Sequence, residues 1–386
     1  MTRCLAVFLL AVPLAGCSTV SGWFSGDDNA EPPAKLEEIA DPVALHEVWS
    51  TDIGVGYDKQ SVNLVPTVLG PYLLAADRDG RVFELSAETG KKLWETKTDA
   101  PISAGPGAGG GLVLVGTSDA QVLALSIEDG SIVWRTQVSS EVLAVPRIDL
   151  GVVVIQTVDG AITGLSGEDG HQLWVSDHSV PVLTLRGTST PAVERGVVVT
   201  GLASGKVAAL TMEKGLQVWE TNIAIPQGRS ELERLVDVDA DPVIVGNTVY
   251  VVSYQGKIAI IDLQNGNLGW ARDMSSYVGL GVDFAQVYVT DVDSKVWALS
   301  RDNGASVWKQ DKLHNRALTA PETFGNYVAI GDFEGYLHLL SSYDGHIAGR
   351  VKVDGKGIAA RPIAVGDVLY VYGKGGKLAA YTLPGA

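Results

Sequence analysis

Tryptophan recurs through this chain at a spacing that leaves few architectures open. Trp94, Trp134, Trp174, Trp219, Trp270 and Trp308 close the segments "ETGKKLWE", "EDGSIVWR", "EDGHQLWV", "EKGLQVWE", "QNGNLGWA" and "DNGASVWK", and "YDGHIAGR" puts Gly349 where a further tryptophan would fall. A proline opens most of these units: Pro66, Pro106, Pro146, Pro191, Pro242 and Pro321 each stand 28 residues ahead of the Trp or Gly that closes the unit, and Leu280 takes that place before Trp308. The body of the repeat is therefore fixed in length, and all variation falls between one Trp and the next Pro. Self-similarity at a period of about 40–45 residues is the mark of stacked or ring-forming repeats, which must be recognised before any local reading.

Inside the 28 residues the pattern is β. In "TPAVERGVVVTGLASGKVAALTMEKGLQVWE" the pairs Arg195-Gly196, Ser204-Gly205 and Lys214-Gly215 separate four short runs rich in Val, Ala and Leu, each close to the usual strand length of about 5–6 residues. Such a four-stranded antiparallel meander, repeated, predicts the blades of a β-propeller. The last repeat supplies only three strands, "ARPIAVG", "VLYVYG" and "KLAAYTL". The missing fourth stands at the other end of the chain, where "HEVWSTD" (46–52) carries Trp49 in the phase of an outer strand with no strands before it. The sequence thus predicts an all-β, eight-bladed propeller over residues 45–386, closed by its N-terminal strand. Closure removes the free sheet edges that invite aggregation. The tryptophans read as wedges between neighbouring blades, since each can bury about 150–250 Å².

Two connections between blades are long. Trp134 to Pro146 takes 12 positions, but Trp174 to Pro191 takes 17 and Trp219 to Pro242 takes 23. In a propeller these connections emerge on one face, so the two are neighbours in space. The first contains "VPVLTLRGTS", which brings Leu183 and Leu185 beside Arg186; the second contains "RLVDVDADP", with Asp237, Asp239 and Asp241 on alternate positions. A loop with Leu-x-Leu-Arg either packs locally, with Arg186 paired to an Asp across the loops, or meets a partner, and arginine among apolar neighbours is typical of interface centres. A D-x-D-x-D-G calcium loop would require Gly where Pro242 stands and Glu where Thr248 stands, so the triplet does not read as one. The second "DVD", Asp291 and Asp293, occupies the hairpin between strands two and three, where Asp stabilises the turn by bonding its own backbone.

With 46% hydrophobic and 19% charged residues, the chain can bury a large core. A formal net charge of −16 argues against nucleic acid and against attraction to anionic lipid, so membrane attachment needs another device. Residues 1–3 give a short basic n-region, and 4–14, "CLAVFLLAVPL", an apolar run too short to span a bilayer but suited to a signal peptide. "LAGC" (14–17) resembles the lipobox of bacterial lipoproteins, which predicts removal of residues 1–16 and lipidation of Cys17. Ser18, in place of the Asp that marks inner-membrane retention, points to the outer membrane. Residues 17–44, polar and rich in Gly, Pro and acids, read as a flexible tether with little structure before His46. No cysteine then remains in the folded part, which excludes disulfides and thiolate metal sites there.

Other motifs carry no chemistry. Gly105, Gly107 and Gly110 satisfy G-x-G-x-x-G, but a strand follows where a helix is required, so the segment reads as a turn entering a blade. The six histidines show no metal-binding spacing and read as solvated or hydrogen-bonded surface groups.

Trp-docked eight-bladed rings resemble the quinoprotein (PQQ-like) propellers, which raises a dehydrogenase as one reading; those enzymes are longer and use Ca²⁺ with a catalytic Asp and often a vicinal cysteine pair. A propeller binding peptidoglycan or another glycan is a second. The most specific resemblance joins four features: a lipobox, a propeller of this length, "LTLRG" and "DVD" in successive long connections. Together they resemble the BamB family, lipoproteins of the outer-membrane β-barrel assembly machine, along the whole chain. The resemblance implies a scaffold without enzymatic activity or cofactor, anchored to the periplasmic face of the outer membrane. It would bind the POTRA domains of BamA, and through it the other lipoproteins of the complex, with Leu183, Leu185, Arg186, Asp237 and Asp239 at the contact. Direct binding of unfolded client chains stays open.

Overall fold

The computed structural model describes residues 31–57 and 62–385. Among these every regular element is a strand; 32 of them form the eight four-stranded antiparallel blades of a β-propeller, and one short strand adds to a blade in parallel. In blade 4 the order from axis to rim is Ala192–Glu194, Val197–Gly201, Lys206–Thr211 and Gln217–Asn222. The two middle strands are buried along nearly their whole length, and the outer strand buries only Trp219 fully. Sandwiching between neighbouring blades explains this: strands covered on both faces read as continuous Val/Ala/Leu runs, while a strand at the rim alternates. The composite blade forms as expected, with His46–Asp52 pairing antiparallel to Lys377–Thr382 and Trp49 opposite Ala380.

Each tryptophan of an outer strand locks onto the following blade in one way. The Trp134 indole donates from Nε1 to the Gly167 carbonyl at 2.9 Å, Trp174 to Met212 at 3.0 Å and Trp219 to Leu263 at 2.8 Å, and Trp49, Trp94, Trp270 and Trp308 repeat the bond. The ring rests on the glycine of the next blade's outer hairpin. A Cβ on Gly170 would come within 2.5 Å of the Trp134 ring, and Gly170 has φ +74°. Both the turn and the ring contact therefore require glycine there.

Blade 7 has no such lock because blade 8 has no such hairpin: its third and outer strands come from opposite ends of the chain. The N-terminal segment fills the gap. Val43 N–H donates to the Ala348 carbonyl at 2.8 Å, the Val43 carbonyl lies over Gly349, and Val43 and Leu45 pack on the core that holds Phe324 and Tyr381. The expected tether through residue 44 is thus corrected for residues 33–44. They lack strands but lie along the propeller, because Leu36, Val43 and Leu45 supply apolar groups that composition averaged over the stretch conceals. The proposed signal peptide, 1–16, and Cys17 lie outside the described residues.

Two further readings change, and one strand is new. "GPGAGGG" is not an entry turn. Ile102–Gly109 is the innermost strand of blade 2, where a Cβ on Gly107 would sit 1.9 Å from the Pro146 carbonyl of blade 3, so glycine serves close packing near the axis. Beside it a short strand, Asn63–Leu64, pairs in parallel with Ala104 and Gly105, placing part of the connection from blade 8 to blade 1 against the innermost strand. And His338 is wholly buried rather than a surface group.

Candidate docking surface

The antiparallel meander puts the connection between blades and the hairpin between strands two and three at the same end of every blade. That end carries both long connections. Residues 235–241 form no regular element, and their alternate side chains take different neighbours. Val236, Val238 and Ala240 are buried, and Val238 packs on Gly201 of blade 4. The aspartates face the other way, toward residues 185–190. Asp237 Oδ2 accepts the Leu185 N–H, Asp241 Oδ1 accepts the Thr190 N–H at 2.7 Å, and Asp239 lies between them against Gly187, where a Cβ would stand 2.9 Å from its Oδ2. The alternation of acids that marks this stretch is a row of carboxylates set against the neighbouring loop.

Burial raises the proton affinity of all three. It pushes Asp237 up to about 6, with the Leu185 N–H opposing. It pushes Asp239 up to about 8, reinforced by the charges of Asp237 and Asp241. Asp241 is raised by burial too, against the pull of the Thr190 N–H and of Arg147. Withdrawal from water disfavours the charged form, and like charges nearby add to the effect. One oxygen of Asp237 has no partner at all. The arrangement holds the loop, and Tyr254 N–H donating to the Asp237 carbonyl at 2.8 Å fixes the other side of the same segment.

The expected site residues therefore separate. Leu183 is 40% exposed and the Arg186 side chain 61%. Leu185, expected at the surface, is half-buried, with its N–H held by Asp237. Asp237 is not at the surface: it is 0% exposed and supports the loop from beneath. Nor does either Asp orient Arg186. Its guanidinium pairs at 2.8 Å with Glu141 of the connection between blades 2 and 3, so a third connection joins the surface.

Sequence reasoning missed Val182, which is almost fully exposed, and Tyr277, which is 47% exposed. Tyr277 meets Tyr254 edge-on at 6.4 Å between ring centres. Its position in a short connection, with no flanking motif, gave no signal. The loop also forms a wall between two hollows. One of about 570 Å³ is bounded by Asn63, Tyr254, Tyr277 and Arg361, and one of about 330 Å³ by Gln156, His178 and Val180, with Leu185, Arg186 and Asp239 lining both. Among the described residues no three His, Cys, Asp or Glu converge as metal ligands, and the aspartate row is committed to the loop.

Comparison with known proteins gives consistent results. Residues 47–310 match the family described as "Outer membrane protein assembly factor BamB". The protein of that name from Pseudomonas aeruginosa is 48% identical over 378 residues, covering 98% of each chain. The crystal structure of BamB from Moraxella catarrhalis superposes with a TM-score of 0.81 at 28% identity, over 88% of this chain and all of that one. A quinohemoprotein alcohol dehydrogenase of Pseudomonas putida HK5 gives a TM-score of 0.71 over 89% of this chain and 76% of its own, but at 13% identity, a likeness of fold alone.

Proposed function

The chain belongs to the family of the outer membrane protein assembly factor BamB, and from that membership we propose that it serves outer-membrane protein assembly as a non-catalytic scaffold lipoprotein, docked through residues 182–186 onto the POTRA domains of BamA. The observation that carries the docking reading is the loop itself. Val182, Leu183 and Arg186 stand in solvent on a segment whose backbone is held by buried carboxylates beneath it. A loop fixed in advance loses little conformational freedom on binding, so its exposed apolar and guanidinium groups yield more net affinity. Asp237 and Asp239 act as positioning residues for this contact, and Leu185 as its half-buried root. Lipidation of Cys17 would hold the propeller at the periplasmic face of the outer membrane, since an acidic surface gives no attraction to anionic lipid.

The test is capture of the BamA POTRA domains by the immobilised propeller. Arg186→Glu faces Glu141 and removes the cation, so capture is lost while the melting temperature hardly moves, because an exposed pair contributes little to folding. Full capture by Arg186→Glu overturns the docking surface, and loss of both capture and melting temperature assigns the loop to the fold alone. For the anchor, Cys17→Ser yields a periplasmic protein; sedimentation of that variant with outer membranes in cells lacking BamA would refute the lipid attachment.

A further inference from the structure

We infer that residues 33–45 form a clasp that carries the N-terminal end of the chain across the rim of the propeller, onto the face that bears Leu183 and Arg186. This goes beyond the docking reading and borrows from it only the identity of that face.

The route follows from the partners in order. His46 begins an outer strand, so it lies at the end of the blades opposite the long connections. Just before it, Val43 and Leu45 pack near Phe324, Tyr327 and Leu383, and Val43 is bonded to Ala348 near the start of the outer strand Ile347–Lys352. Further back the contacts climb the blade. Arg350 Nη1 donates to the Glu37 carbonyl at 3.1 Å, and Lys312 Nζ reaches the Glu37 carboxylate at 2.8 Å. Leu36 packs on the core of Leu313 and Leu318. Finally the Ala34 N–H donates to the His314 carbonyl at 3.1 Å, and Arg316 Nη1 donates to the Ala34 carbonyl at 2.9 Å. His314 and Arg316 lie in the connection between blades 6 and 7, at the same end as residues 178–190. The chain thus enters at one end of the propeller and leaves at the other.

The seat at the far end is built, not incidental. Arg316 is buried with Asp332, which accepts its Nε at 2.8 Å and Nη2 at 2.7 Å, and it also meets Glu334. The Ala34 carbonyl takes the remaining nitrogen, Nη1. Undocking the clasp would strip a partner from a buried charge, which is costly.

The clasp also shortens the lead to the proposed lipid. Pro33 lies sixteen steps along the chain from Cys17 and His46 twenty-nine, so the fully extended limits are about 55 Å and about 100 Å. An anchored propeller would therefore be tethered by its docking face on the shorter lead.

Pairs of spin labels in the chain that starts at residue 17 with Cys17→Ser, and so lacks both native cysteines, test the route. Lys35→Cys is combined with Val292→Cys, on a hairpin at the docking end, or with Tyr343→Cys, on a turn at the opposite end. A narrow distribution to each, with the shorter distance to residue 292, is the expected result. A broad distribution, or a shorter distance to residue 343, overturns the proposal. Trypsin gives a second readout, because Lys35 is the only Lys or Arg between Cys17 and Lys59. Cleavage there should be about tenfold slower or more than in the Leu36→Asp/Val43→Asp variant, since it requires local opening; equal rates count against the clasp. Capture failing to depend on Arg186 would refute the docking reading and leave these distances unchanged, so the two ideas fail separately.

Discussion

His338 Nε2 lies 3.0 Å from Asp332 Oδ2, with both side chains wholly excluded from solvent. On the other side of the ring, Arg350 Nε stands 3.2 Å from His338 Nδ1. A guanidinium can only donate, so Nδ1 accepts and the neutral tautomer carries its proton on Nε2. Burial holds this histidine below its ordinary proton affinity, Asp332 opposes that, and the cations Arg350 and Arg316 reinforce it. Glu334, paired with Arg316, and the Tyr336 ring, 6.3 Å from the imidazole between centres, complete the surroundings.

A histidine whose folded pKa is depressed binds fewer protons folded than unfolded below about pH 6.5, so its contribution falls as pH drops through that value. Replacing it with Gln removes this dependence. His338→Gln should melt below the parent at pH 7.5, with the gap narrowing at pH 5.5. A constant gap would show that His338 does not titrate in this window.

The lock between blades 2 and 3 gives a second expectation. Trp134→Ala should cost about 3–5 kcal/mol, as for other buried large aromatics, and Gly170→Ala about 1–3 kcal/mol from overpacking and backbone strain. Because both changes break one contact, the double variant should lose less than the sum. Urea unfolding of the four proteins measures this, and strict additivity would show that the ring and the glycine act independently.

Asp239 gives a pH dependence of the opposite sign. Its folded carboxyl is raised from 3.8 to about 8, so the folded state prefers the protonated form and is progressively disfavoured as pH rises from about 4 to 8. Asp239→Asn should leave melting near pH 4 unchanged and raise Tm at pH 8 by about 2 °C or more, the scale of about 1 kcal/mol in a sizeable domain. A lower Tm at pH 8 would mean that the ionised carboxylate stabilises the loop.

Restoring the repeat at its one exception should do harm. Gly349→Trp would put an indole where the Val43 carbonyl now lies, 2.6 Å from the nearest possible side-chain atom, with no hairpin glycine opposite to receive it. The variant should expose Lys35 to trypsin about tenfold faster or more. Unchanged protection would show that the clasp and the indole fit together.

The propeller was legible because its determinants are local and repeated: turn glycines, Val/Ala/Leu runs and one Trp per unit. Even the composite blade could be read, since Trp49 announces an outer strand without predecessors. The candidate surface was legible only in outline. Length marked the two connections, but which acids face water depends on what lies above them, and the backbone of Leu185 covers Asp237. Arg186 finds Glu141, 45 residues away, through a third connection of ordinary length. The clasp was hidden because three apolar residues spread through an acidic, Pro-containing stretch make no periodic pattern, and their seats come from blades 6, 7 and 8.

The composite blade also sets an order of events. His46–Asp52 is synthesised before every other described strand, yet its partner is Lys377–Thr382, so the outermost strand of blade 8 waits unpaired until the other blades have followed. The first seven blades can form in succession, each on the one before, while the ring stays open. A product interrupted before residue 377 keeps an unpaired strand at one end and an unmatched blade at the other. The fold thus joins its first blade strand to its last in a single pairing step, which only a chain that reaches residue 377 can make.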